Sequence, residues 1–182
     1  MSSLYGTLLG AAWSTLAPAV RRLHGGQGRA RGSFRVRRGT SGLARLLANL
    51  LRMPRAAESV AVTLSVEAAP DGERWVRAFA GQPLETLQLR RGARLVEVMG
   101  LVQCIFRLRA DEGALVFEQV GASFGFRRLR IPLPRFLAPF IEGRAAPERD
   151  DVRVDVRIHA PLVGLLVAYD GLVTPQPAEP AP

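Results

Sequence analysis

DVRVDVRIHAPLVGLLVAYDGLV, residues Asp151 to Val173, holds the clearest alternation in the chain. Val152, Val154, Val156 and Ile158 fall on one phase; Arg153, Asp155, Arg157 and His159 fall on the other. A period of two places successive side chains on opposite faces, so this half reads as a half-buried strand. Pro161 and Gly164 interrupt the pattern, and a second apolar run from Leu165 to Tyr169 precedes Asp170-Gly171. The stretch therefore reads as two strands joined through a bend, closing a sheet that earlier strands build.

Working upstream, the chain is a ladder of short strands. Val60, Val62, Leu64 and Val66 alternate, Pro70-Asp71-Gly72 is a turn, and Arg74 to Ala80 returns as the hairpin partner. Leu84 to Arg90, Arg94 to Met99, Gln103 to Ala110 and Ala114 to Val120 follow, with Phe124 to Ile131 as a further strand. Connections this short favour antiparallel pairing, because parallel crossovers need about a dozen residues or more. Ile131 to Ile141, IPLPRFLAPFI, carries three prolines and cannot be a central strand. Its bulky residues, Phe136 and Phe140 among them, suggest a lid over Trp75, Phe106 or Phe117, with a patch offered to a partner as the alternative. Gly143 to Asp150 reads as a polar connector.

The N-terminal part is helical. Ser3 to Leu23 places apolar residues three and four apart, with Pro18 expected to kink or split the helix near Ala17. Its polar face lacks a basic stripe, so core packing is favoured over a membrane-surface role. His24 to Gly32, HGGQGRARG, misses the dinucleotide fingerprint and reads as a flexible connector. Ser33 to Arg38 is a short strand, and Ser41 to Arg52 is a second helix with a leucine stripe, stopped by Pro54. The sum is an α+β domain over residues 1–173: two N-terminal helices packed on a long meandering antiparallel sheet curled into a partial β-barrel. Residues 174–182 form a proline-rich tail, expected to be disordered.

Composition narrows the function. The 182 residues carry a formal net charge of +9, which raises nucleic acid as a partner. Every basic residue is arginine, and the arginines are dispersed along the strands, which favours a generally basic surface over specific nucleic-acid recognition. With one cysteine, Cys104, there is neither an intramolecular disulfide nor a cysteine metal cluster. The N-terminus lacks the basic region of a signal peptide, and no apolar run is long enough for a transmembrane segment. These features point to a cytoplasmic protein without a cofactor.

Pattern and order together resemble a known family. The residues that carry the likeness are Leu16, Pro18, Val20 and Leu23-His24; Gly32 and Phe34; Gly72-Glu73-Arg74-Trp75 with Phe79; Pro132-Leu133-Pro134; and Pro161-Leu162, Gly164, Tyr169 and Gly171. They resemble bacterial domain-of-unknown-function family number 4166, over nearly the whole chain to Val173. The resemblance implies a domain found alone or behind NAD(P)-binding domains similar to saccharopine dehydrogenase, hence an oxidoreductase partner. It implies no activity, and this chain lacks a dinucleotide-binding half.

Among residues with chemistry, His24 sits where it would cap a helix C-terminus. His159 and Asp155 are about 13 Å apart along one strand, too far for a hydrogen bond. Cys104 is in phase with Phe106 and Leu108 and reads as a core thiol. Glu97 and Glu118 lie among apolar strand residues, with Arg107 a suitable partner; with His159 they are the groups a hydrolase or isomerase would use. Several strands are apolar on both faces, so the concave side of the sheet has the composition of a cleft for a small apolar or amphipathic ligand, the alternative being a barrel filled by its own side chains. Its candidate residues are Trp75, Glu97, Phe106, Arg107, Phe117, Phe136, Phe140, His159 and Tyr169.

Overall fold

The computed structural model describes residues 3–126 and 129–176. Eleven strands form one antiparallel sheet: β1 (Gly28–Arg38), β2 (Ala57–Ala69), β3 (Gly72–Phe79), β4 (Gln82–Arg91), β5 (Arg94–Met99), β6 (Val102–Asp111), β7 (Ala114–Phe126), β8 (Leu129–Pro132), β9 (Phe140–Glu148), β10 (Asp151–Ala160) and β11 (Gly164–Gln176). The hairpin read first in the sequence is β10–β11, with Val152 opposite Val173 and Val156 opposite Tyr169. β11 continues onto β1, from Arg38↔Val167 to Arg29↔Gln176. It therefore runs three residues past Val173; residues 177–182 lie outside the described residues.

The partial barrel expected from the strand ladder is in fact a closed one. Ten strands complete a ring, and β8 is an extra strand on the end of β7. Closure rests on β9, in the stretch read as a loop and polar connector. β9 pairs with β10 on one side and, through Leu115↔Ala145 to Glu118↔Glu142, with β7 on the other. Its inward positions are Ile141, Gly143 and Ala145, and the last two are too small for an apolar alternation to show. A Cβ on Gly143 would lie 3.4 Å from the Phe117 side chain, so a small residue here makes room for that ring. The glycine-rich connector is likewise partly strand. Gly32 lies in β1, where a Cβ would come within 1.9 Å of the Leu172 carbonyl oxygen.

The expectation of two N-terminal helices is also corrected. Residues 4–15 form one twelve-residue helical stretch, α-helical in α1 (Leu4–Leu9) and 3₁₀ from Gly10 to Thr15. Gly10 has φ 55°, outside the α region, which ends the α-helical part. Of the kink or split expected at Pro18, the structure shows the split. The proline starts a separate short helix, α2 (Pro18–Leu23), preceded by an extended Ala17 as a residue before proline prefers. Together these segments plug one end of the barrel. Tyr5, Leu16, Val20 and Leu23 are buried there, each large apolar side chain contributing about 1.5–3 kcal/mol. The Ala17 amide donates to the Gly113 carbonyl at 2.9 Å, tying the plug to the β6–β7 turn.

α3 (Gly42–Leu50) connects β1 to β2 at the opposite rim, capped by the Ser41 hydroxyl on the Ala44 amide. It presses Ala44 and Ala48 inward and leaves Leu43, Leu46 and Leu50 exposed. Beyond it Met53 is fully buried, and Arg38 bonds the carbonyls of Met53 and Pro54, which pins the segment down.

Candidate functional site

Closure makes every second strand residue an interior residue. Val62 and Leu64 of β2, Leu84 of β4, Phe106 of β6, Phe117 of β7, Val154 and Val156 of β10 and Tyr169 of β11 surround a cavity of about 120 Å³. Tyr5, Leu23 and His24 form its floor. The cavity extends toward the other rim at Leu84, Met99, Val102 and Ile141.

One wall is polar, because three adjacent strands place polar residues on their apolar phase. Arg77 lies between Trp75 and Phe79 on β3, Thr86 and Gln88 follow Leu84 on β4, and Glu97 lies between Leu95 and Met99 on β5. Arg77 donates to the Thr86 hydroxyl at 3.1 Å, pairs with Glu97 at 3.6 Å and lies 5.3 Å from the Trp75 ring centre. Gln88 donates to Glu97 at 3.2 Å and accepts the Tyr5 hydroxyl at 2.5 Å. Trp75 donates its ring N–H to Glu73 at 3.1 Å.

Burial sets the protonation states. It holds the Tyr5 phenol well above its usual range, reinforced by Glu97 and Glu73. Burial raises the Tyr169 phenol too, against the pull of Arg77. Burial also raises the Glu73 carboxyl, offset in part by its bonds from Trp75 and the Leu4 amide. His24 is driven down to about 4, by burial and then by Arg77. It is therefore a neutral imidazole at pH 7. Its Nδ1 lies 3.0 Å from the Val20 carbonyl and donates to it, so Nε2 is left as an acceptor. The ring packs against Tyr5 at 4.7 Å and Trp75 at 5.4 Å. His24 thus does cap its helix, and it also belongs to the cavity.

Of the residues singled out from sequence, the cavity brings together Trp75, Glu97, Phe106, Phe117 and Tyr169. It does not include Arg107, Phe136, Phe140 or His159. Arg107 is exposed on the outer wall, and the partner of Glu97 is Arg77. Glu118 also belongs to the outer surface, paired with Arg109 at 3.0 Å. Glu97, Glu118 and His159 therefore share no site. Phe136 and Phe140 are 69% and 50% exposed; from their segment it is Leu133, Ala138 and Ile141 that pack on the core. Cys104 is buried, its thiol pushed up to about 12 by burial. Tyr5, His24, Arg77, Thr86 and Gln88 were not singled out for the cavity. A polar residue on an apolar phase was a readable signal for Arg77, Thr86 and Gln88. Nothing local announced that Tyr5 would meet Gln88.

A shallower groove lies at the β7–β9 seam. The two strands separate after Glu118↔Glu142, and Gln119 takes over the pairing. Its amide donates to the Pro139 carbonyl at 2.6 Å and accepts from the Ile141 amide at 2.7 Å. Among the described residues no three His, Cys, Asp or Glu side chains gather as a metal site.

Fold and site together define a closed antiparallel β-barrel, plugged at one end, with a small and largely apolar cavity. The chain belongs to the family described as domain of unknown function (DUF4166), which matches residues 16–173. In fold it is similar to the crystal structure of Rv2717c from M. tuberculosis, with a TM-score of 0.50 at 12% identity, covering 89% of this chain and 99% of that one. No curated protein matches. No helix among the described residues is long and apolar enough to cross a membrane.

Proposed function

We propose that the barrel binds a small amphipathic molecule in its interior. The observation that carries this reading is the cavity itself: apolar over most of its lining, with one polar wall of Arg77, Glu97, Gln88 and Tyr5. Apolar walls with a few placed polar groups are what small-molecule sites consist of. A cavity of about 120 Å³ approaches the roughly 150 Å³ apolar cavity that takes up benzene in an engineered protein. Arg77 and Glu97 already neutralise each other, so an uncharged polar group suits the wall better than an ion. The His24 Nε2 acceptor and the Tyr169 hydroxyl offer further hydrogen bonds.

Trp75 lines the cavity and can report on it. In a Trp13→Phe background, bromobenzene is expected to quench Trp75 fluorescence saturably, and Val154→Phe, which fills the cavity, is expected to abolish that saturable component. Quenching that stays linear, or is unchanged by Val154→Phe, would refute the proposal. Native mass spectrometry of protein purified from its host then identifies the natural occupant.

A further inference from the structure

We infer that the rim opposite the helical plug docks on an anionic lipid surface. Many wall arginines are ion-paired, although Arg31, Arg90, Arg91 and Arg107 are exposed without a carboxylate partner among the described residues. On the wall, Arg74 pairs with Glu67 and Glu85, Arg109 with Asp111 and Glu118, and Arg153 with Glu148. At the rim, Arg45, Arg52, Arg55 and Arg135 are exposed and have no carboxylate partner among the described residues. The connections at this rim, residues 39–56, 80–81, 100–101, 133–139 and 161–163, contain no Asp or Glu. The turns at the plugged end carry Asp71, Glu112 and Asp150 instead. In the connections the net charge is therefore positive at the rim, whereas at the plugged end Arg149 stands beside three acidic residues, in a chain of net charge +9.

Most of the exposed large apolar side chains are at that same end. Leu46 and Leu50 of α3 are 63% and 75% exposed, Leu162 of the β10–β11 turn is fully exposed, and Phe136 is 69% exposed. Helix α3 thus buries alanines and presents leucines, with Arg45 beside them. An exposed apolar face flanked by arginine is the composition of an interfacial helix, inserted to the depth of the lipid headgroups. Nucleic acid would account for the arginines and leave the leucines and Phe136 unexplained. The wall carries ion pairs where a membrane-spanning barrel has an apolar band. The surface is thus suited to resting on a bilayer. This inference stands on the rim alone and is independent of what fills the cavity.

The test is flotation of the purified chain with vesicles of phosphatidylcholine, and of phosphatidylcholine mixed in equal parts with phosphatidylglycerol. Binding is expected to the mixed vesicles alone and to weaken with salt. Leu46→Asp, and independently Phe136→Asp on another element, are expected to reduce it on the order of tenfold each. Arg45→Glu and Arg135→Glu are expected to reduce it by roughly fivefold or more each. Arg74→Glu and Arg153→Glu make the same charge change on the wall and are expected to leave most of the binding. Absence of vesicle binding overturns the inference. So does equal loss from wall and rim arginines, which would mark adsorption by net charge. Capture by an oligonucleotide in place of vesicles overturns it as well.

Discussion

Arg77 reaches into the barrel from between Trp75 and Phe79, on the phase that β3 reserves for apolar residues. Its charge is held there by Glu97, Thr86 and the Trp75 ring. Arg77→Met leaves Glu97 without its ion partner in the interior. Since about a fifth of each side chain is exposed (19% and 18%), the cost is expected at about 1–3 kcal/mol, below the range for a fully buried pair. The double variant Arg77→Met/Glu97→Leu is expected to be more stable than the single one, measured by urea denaturation. His24 gives a pH signature. Its imidazole titrates at 6.5 when unfolded and at about 4 when folded, so the unfolded state takes up the proton first. Stability is complete above pH 6.5 and falls as the pH drops toward 4, by roughly 3 kcal/mol. Glu73, whose carboxyl is raised, works in the opposite direction: its contribution is lost as pH rises past its ordinary value of 4.5. Comparing thermal unfolding of the protein and of His24→Phe isolates the histidine, and the variant is expected to lose less stability between pH 6.5 and 4. Cys104 was legible from its phase alone, and its raised thiol pKa predicts no labelling by a thiol reagent until the protein unfolds.

Among the elements, β9 decides closure and was the least legible. A strand shows in sequence when its inward positions are large and apolar, and Gly143 and Ala145 are neither. At Gly143 the Cβ position lies against the Phe117 side chain. Gly143→Val is expected to force those strands apart and to cost about 1–3 kcal/mol by overpacking, read from the denaturation midpoint. At the other end of the seam, Gln119 stands in for a backbone ladder. Gln119→Leu would leave the Ile141 amide without its partner, and faster hydrogen exchange at that amide is the expected result. The β10–β11 hairpin was legible because valine and isoleucine occupy every inward position of its first strand. The N-terminal helix was legible as an amphipathic segment and its break at Pro18 from the proline itself, while its change at Gly10 reflects a backbone limit that periodicity does not report.

For the whole molecule, alternation revealed that a sheet would form and which side chains share a face. It did not reveal whether the sheet closes, because closure depends on strands far apart in the chain finding each other across small residues. The difference matters for function: a partial barrel has a cleft, whereas a closed one has an interior, lined toward one rim by Met99, Val102 and Ile141. Closure also sorts the candidate residues into those inside, such as Trp75, Phe117 and Tyr169, and those outside, such as Arg107 and His159. The most direct measurement of the central claim is an NMR titration of methyl-labelled protein with benzyl alcohol, an uncharged amphipath. Saturable shifts confined to Leu64, Met99, Val154 and Val156, with Leu50 and Leu162 unmoved, are the predicted result. No shifts, or shifts confined to Leu50 and Leu162 at the rim, would contradict a ligand-binding interior.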